Sequence, residues 1–293
     1  MKRAFAAIAM LCAAGCDDTE REPISSQMPM LIPILTLAHA DEAADRSIAF
    51  RGELTQGGWI VGTVPPGTIG LTLDGREIAH DAQGRFLVGF DRDAAPSAEL
   101  SAQLADGSMV TRQLAVSPRN WQIEHIDAPR RPGGPSADFL KRREGELAAI
   151  AAARSMQTDA QGWMQDFIWP VRGRISGRFG SQRVYRGEPG SYHSGMDITT
   201  GESGTPFVAP ADGVVVLAVQ GFSLEGNLLI LDHGQGLSSA FLHASRLVVS
   251  AGDAVRQGQH IGNIGASGRA TGPHLHWGIT WRGARLDPLL FVE

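Results

Sequence analysis

Cysteine is nearly absent from the chain: there are 2 in 293 residues, Cys12 and Cys16, both close to the start. A framework of disulfides and a cysteine-rich zinc site are therefore excluded. Basic residues do not outnumber acidic ones, 26 against 31, and the net charge is -5. Nothing gathers Lys and Arg into a long stripe, which argues against nucleic acid or a polybasic membrane surface as a partner. Tyrosine is scarce at 2 residues while glycine is abundant at 36, a balance that favours turn-rich β structure over a helical bundle. Past the N-terminal stretch, no segment approaches the roughly 20 apolar residues of a membrane span. The remaining composition, 43% hydrophobic and 19% charged, is that of a globular protein long enough for two domains.

The two cysteines have a different explanation. "MKRAFAAIAMLCAAGC" combines a basic start (Lys2, Arg3), a short apolar run and small residues, the pattern of a secretory signal. Its end, "AAGC", resembles a bacterial lipobox, with Ala13 where Leu is more usual; cleavage before Cys16 would free that thiol for lipidation. Asp17 then points to retention in the inner membrane. A second boundary exists in "MLIPILTLAHA", which ends in Ala38-His39-Ala40 before a polar stretch. The expectation is an exported, periplasmic lipoprotein anchored to the membrane only through Cys16. Cleavage at Ala40 would instead leave a soluble protein.

Beyond a leader over 1–40, the chain divides into three stretches. Residues 41–118 show short alternating runs ("SIAFRGEL", "GWIVGTV", "TIGLTLDGREI") with hairpin signals at Asp74-Gly75 and Asp106-Gly107, and are expected to form a small β-sandwich. Residues 119–162 contain a Pro/Gly-rich linker and a helix over 136–158, with Ser136 as N-cap and Phe139, Leu140, Leu147 and Ile150 as its apolar stripe. Lys141-Arg142-Arg143, followed by Glu144 and Glu146, reads as a solvated helix face. Residues 163–293 return to strand-like runs separated by glycine turns, so the whole is all-β with one linker helix.

Chemistry concentrates in this last stretch. "SYHSGMDITT" places His193 and Asp197 four apart, and in an extended strand 193, 195 and 197 share a face with only Gly195 between. "GPHLHWGI" puts His274 and His276 on one face of a strand by the same period of two. An imidazole, a carboxylate and a further imidazole, from His276 or His274, make a three-ligand zinc site with a fourth position open. Either pair alone is common by chance; both in one glycine-rich β domain are specific.

These residues carry a resemblance. "WPVRGRISGRFGSQR", "HSGMD", "TPFVAPADGVVV", "GNLLILDHGQGLSSAFLHAS" and "GDAVRQGQHIGNIGASGRATGPHLHWGI", in that order, are similar to the lysostaphin-like (LytM-type) zinc metallopeptidases of bacterial cell walls. The similarity covers about residues 163 to 290. It implies a barrel-sandwich-like fold (a duplicated hybrid motif) and one Zn2+ per chain on His193, Asp197 and His276. It implies His274 and His243 as the non-ligand histidines that handle protons and charge, and Asn227 as a minor substrate-groove residue. The implied function is hydrolysis of peptide cross-links of peptidoglycan in cell-wall remodelling, with stem peptides as substrate. Phe241 and Ala244 depart from the usual Tyr and Leu and bear only on packing or substrate fit.

Two other readings compete. A non-catalytic relative would bind peptidoglycan and activate a cell-wall amidase; such relatives have lost zinc ligands, and here all five residues are present. A sugar-phosphotransfer carrier shares the architecture, but the export signal and Asp197 disfavour it. The helix before the peptidase-like region is expected to pack across its groove and restrain it, with a regulatory protein as the partner that frees it. His233 and His260 are expected to be structural or solvent-facing.

Overall fold

Side-chain alternation builds the first part of the computed structural model, which describes residues 46–129 and 134–292. Cys12, Cys16 and both candidate cleavage points lie outside the described residues. Between residues 49 and 115 seven short strands form two antiparallel sheets. One joins Ala49–Gly52, Trp59–Thr63 and Arg85–Gly89. The other joins Arg76–Glu77, Thr68–Leu73, Ser97–Leu104 and Met109–Ala115. In Ser97–Leu104 the inward positions are Ala98, Leu100, Ala102 and Leu104, all buried, as a period of two requires. Asp74 (φ 49°) and Gly75 (φ 75°) both take left-handed backbone, the geometry of a tight hairpin turn and a conformation that Asp tolerates and Gly adopts without cost.

The helix, α1 (Ala137–Ser155), is capped by Ser136, whose Oγ accepts from the Phe139 N–H at 3.2 Å. Its buried face differs from the expected stripe. Leu140 and Leu147 are 54% and 50% exposed, whereas Glu146, Ile150 and Ala153 are buried. Arg143 is not on a solvated face either. Its guanidinium grips Glu225 through two hydrogen bonds of 2.6 Å and reaches Glu146 at 3.0 Å. Glu146 in turn accepts from the Ser223 N–H at 2.7 Å and from the Ser223 hydroxyl. A bidentate charge-assisted pair across 82 residues of sequence thus selects the buried face, and no apolar periodicity encodes it.

After α1 the dominant feature is an eight-stranded sheet. Its strands, labelled in chain order, are β1 (Arg174–Gly177), β2 (Met196–Thr199), β3 (Gly213–Phe222), β4 (Gly226–Gly234), β5 (Leu237–Ala244), β6 (Ala254–Val255), β7 (Leu275–Trp281) and β8 (Ala284–Leu286). The order across the sheet is β6-β3-β4-β5-β7-β2-β1, with β8 paired to β7. One face carries Met196, Ile198, Leu229, Leu231, Phe241, Leu275, Trp277 and Ile279, all at most 2% exposed. That core continues into the first sheets: Trp59 stacks on Phe291 at 5.0 Å and donates its indole N–H to the Leu290 carbonyl at 3.2 Å. The opposite face is left to α1 over β3 and β4, where Ile150 and Ala153 meet Val216, Leu228 and Ile230, and to the site described below. Among the described residues the mostly β architecture with one α-helix matches the expected fold class. Among the described residues no helix is long and apolar enough to cross a membrane.

His233 is a core residue. Its Nδ1 donates to the Asp212 carbonyl at 2.8 Å, and its Nε2 accepts from Ser239 Oγ at 2.8 Å, which itself accepts from the Trp277 indole at 3.3 Å. This arrangement suits a neutral ring, and burial pushes the His233 pKa down to about 4. As pH falls below about 6.5 the unfolded chain takes up this proton and the folded one does not. Stability present above that pH is therefore lost progressively down to about pH 4, a loss on the order of 3 kcal/mol. Urea unfolding between pH 7 and 4 should show it, and His233→Gln should flatten that dependence; an equal slope in both proteins would contradict the assignment.

Candidate metal centre

Asp197 on β2 and His276 on β7 are direct cross-strand partners. Because their neighbours Met196, Ile198, Leu275 and Trp277 all point into the core, both polar side chains must face the other way. His193 arrives differently from the expected strand geometry. It precedes β2, which begins only at Met196, and a bend at Gly195 turns it back over Asp197. The bend needs glycine, since a Cβ there would stand 2.5 Å from the Trp277 carbonyl oxygen and 2.7 Å from His276 Nε2. Gly177 on β1 is constrained likewise: a Cβ would sit 2.4 Å from Asp197 Oδ2.

The three donors converge. His193 Nε2 lies 3.0 Å from Asp197 Oδ1 and 3.1 Å from His276 Nδ1, and the last two atoms are 2.9 Å apart. Ligands of a tetrahedral zinc at ordinary bond lengths stand about 3.3 Å apart, so the spacing fits a single small cation. Among the described residues this is the one group of three or more His, Cys, Asp or Glu placed to hold a metal. Burial opposes the Asp197 charge, but hydrogen bonds from His193 and His276 hold its carboxyl well below the usual range, so it stays ionised. Burial pushes His276 down toward the neutral form that can ligate. It pulls His193 the same way, but the hydrogen bond and charge of Asp197 outweigh it and the net shift is upward. In the metal-free protein Asp197 is thus the counterion of His193.

Two more histidines stand beside this group. His274 and His276 share a face, as the H-L-H alternation requires, and His274 Nε2 is 3.7 Å from the same Asp197 oxygen. The His243 ring lies 4.9 Å from that of His274, centre to centre. His243 is brought in by left-handed backbone (φ 66°), at a register shift in the β4–β5 pairing near Asn227. A backbone carbonyl orients three of the rings: Arg178 for His193 (3.0 Å), Gly272 for His274 (2.9 Å) and Ser267 for His243 (2.8 Å), in every case through Nδ1. A carbonyl can only accept, so Nδ1 carries a proton in all three. In His243 and His274 this leaves Nε2 to present a lone pair to the site, whereas His193 Nε2 also carries a proton that it donates to Asp197 and would lose to ligate a metal. Burial also keeps His243 below its ordinary pKa, with the neighbouring His274 and His276 acting in the same direction.

Asn227 lies on β4 with its amide engaged. Oδ1 accepts from Gly221 N–H at 3.1 Å, and Nδ2 donates to the Ala244 carbonyl at 2.9 Å. Its backbone N–H donates to Ser267 Oγ at 2.9 Å, so it braces the segment that orients His243. Ser267 and the carbonyls of Arg178 and Gly272 were not legible as site components, because backbone acceptors leave no residue-type signal. Phe241 is fully buried and stacked on Phe207 at 5.5 Å, away from the histidines.

His276 also ends a cavity of about 180 Å³ between α1 and the open face of the sheet. Leu147 and Ile150 of the helix form one wall, Leu242 and Gly278 belong to the floor, and Ser194 stands opposite. The helix therefore borders the groove. A larger cavity of about 530 Å³ near Phe50 and Trp163 contains no histidine or carboxylate and has no part in this chemistry.

Residues 191–288, which contain all five site side chains, match peptidase family M23. Among similar proteins, the peptidoglycan DD-endopeptidase ShyA of Vibrio cholerae serotype O1 is 36% identical over 139 residues, 46% of this chain and 30% of that protein. The murein hydrolase activator NlpD of Salmonella dublin is 33% identical over 124 residues, 42% of this chain and 30% of that protein. The chain thus spans less than a third of the length of these two relatives. The crystal structure of a Pseudomonas aeruginosa protein assigned to peptidase M23 superposes with a TM-score of 0.63 at 28% identity, covering 82% of this chain and 95% of that one. That likeness therefore extends beyond the matched peptidase region.

Proposed function

We propose, from the match of residues 191–288 to peptidase family M23, that the chain is a zinc-dependent endopeptidase cleaving peptide cross-links of peptidoglycan. The observation that carries this reading is the convergence of His193 Nε2, Asp197 Oδ1 and His276 Nδ1 within 3.1 Å of one another, beside two further histidines with lone pairs facing the site. Two nitrogens, one carboxylate and an open side form the donor set of a catalytic rather than a structural zinc. Copper(I) has no thiolate here to prefer.

Zinc, when bound, supplies a Lewis acid for the scissile carbonyl and acidifies water. The protein's own residues do the rest. His274, with Nδ1 tied to Gly272, offers Nε2 as general base to the attacking water, and Asp197 at 3.7 Å stabilises the imidazolium that forms. The same ring then returns the proton to the leaving amine. His243, held neutral with its Nε2 lone pair turned inward, accepts a hydrogen bond from the water and aligns it.

The lipobox-like Cys16 supports placement in the periplasm, on the membrane through that residue, where stem peptides are accessible. The activator reading has support too, since a murein hydrolase activator is among the relatives. One experiment separates the two. Purified peptidoglycan is incubated with the zinc-loaded full chain alone, and new amino termini are counted. Release of cross-linked fragments as monomers supports the endopeptidase. No release alone, but stimulation of an added amidase, would replace it with the activator.

A further inference from the structure

The groove leads from the metal centre to two arginines that the proposed chemistry does not use. His276, Gly278 and Thr280 lie in a row on the open face of β7, and the cross-strand partner of Thr280 on β8 is Arg285. Its neighbour Leu286 points into the core, where it closes on Gly89, so the Arg285 side chain must take the groove side. There its guanidinium lies over the Tyr192 ring at 5.3 Å. From the other wall Arg154, in the last turn of α1, lines the same cavity. Both arginines are solvent-accessible.

Among the described residues no carboxylate is free to pair with either charge. Glu225 is the one carboxylate lining the cavity, and Arg143 already holds it through two hydrogen bonds of 2.6 Å. Asp91, below Arg285, is occupied by the Arg285 backbone N–H at 2.9 Å and the Tyr192 hydroxyl at 3.3 Å. Among the described residues the ion pairs include neither Arg154 nor Arg285, although the Arg285 side chain also reaches the Tyr192 hydroxyl. The two also repel each other: burial and the Arg285 charge lower the Arg154 pKa, with Glu225 only partly offsetting them. Two guanidiniums without a carboxylate partner flanking a groove attract an anion, and their planar donors suit a carboxylate.

We propose that Arg154 and Arg285 form a carboxylate-reading site that selects extended peptides bearing a carboxylate three to four residues from the scissile bond. The spacing follows from the strand: four residues from His276 to Thr280 span roughly 13 Å, the length of three to four extended residues. Along the groove Leu147, Ile150 and Leu242 supply apolar walls, and with Glu225 held by Arg143 the two arginines are the charged groups left to read a ligand. This inference rests on the peptidase reading, since that reading places a peptide along the groove.

The test uses the full chain, stripped of metal by chelation so that nothing turns over, and titration calorimetry with two probes. One is a cross-linked stem-peptide dimer with free carboxylates, the other the same dimer fully amidated. The free-carboxylate dimer should bind about 10- to 100-fold more tightly, the effect of a charge-assisted contact. Arg154→Met with Arg285→Met should erase that preference while leaving the affinity for the amidated dimer unchanged, which a general loss of packing would not do. Equal affinities in the wild type, a preference that survives the double substitution, or no binding of either dimer would overturn the proposal. If instead the zinc-loaded chain failed to cleave peptidoglycan, the peptidase reading would fail while the binding difference stood.

Discussion

Asp197→Ala is expected to leave the chain folded, without zinc and without activity. The carboxylate contacts three imidazoles at once: Oδ1 is 3.0 Å from His193, 2.9 Å from His276 and 3.7 Å from His274. Its removal takes away one of the three proposed ligands and also the charge that raises the His193 pKa. Asp197 belongs to the open face of β2, so the core formed by Met196 and Ile198 is untouched and unfolding by urea should be nearly unchanged. Loss of the ligand forfeits several kcal/mol of transition-state stabilisation, so activity should fall by about a thousandfold or more. Metal analysis, unfolding and digestion of peptidoglycan check the three parts separately. A variant that kept one zinc per chain would show that this carboxylate is not a ligand.

His274→Ala is the second large effect and has the opposite signature: activity lost, zinc kept. The ring stands beside the three donors without joining them, and its Nδ1 is already committed to the Gly272 carbonyl at 2.9 Å. A positioned general base contributes about 10²- to 10⁴-fold, and the variant should lose that factor in kcat with zinc content intact. Added imidazole should restore part of the rate by diffusing into the space left by the ring. If zinc disappeared together with activity, His274 would be a ligand and the division of labour between the two histidines of "HLH" would have to be reversed.

That His274 and His276 share a face was legible because it rests on the simplest rule of strand geometry, a period of two, while the division between them was implied only by the family resemblance. The Asp74-Gly75 hairpin follows from the backbone that those residues tolerate, whereas the register that sets His276 opposite Asp197 belongs to the pairing of two distant strands. Other features were not legible, for physical reasons. His193 reaches the site through a bend at Gly195, not along a strand, and one sequence does not distinguish a strand residue from one just before it. His243 enters on left-handed backbone at a register shift, a property of the β4–β5 pairing and not of the residue itself. The buried face of α1 was misjudged because hydrophobicity picks Leu140 and Leu147. The structure instead picks Arg143, whose partner Glu225 lies far along the chain on the turn between β3 and β4. Long-range ion pairs of this kind leave no periodic trace.

The same contact changes how α1 bears on activity. The expectation was a helix packed across the groove; the structure has one packed on β3 and β4 and bordering the groove, with Leu147, Ile150 and Arg154 on the groove side. In that position it would form one wall of the proposed substrate groove.

The measurement that tests the central claim most directly is zinc removal and return on the full chain, with release of new amino termini from purified peptidoglycan as the readout. Chelation should abolish release, and adding back zinc should restore it fully at one equivalent per chain, with no recovery in Asp197→Ala. Release that persists in the metal-free protein, or a saturated zinc site that yields none, would contradict the account.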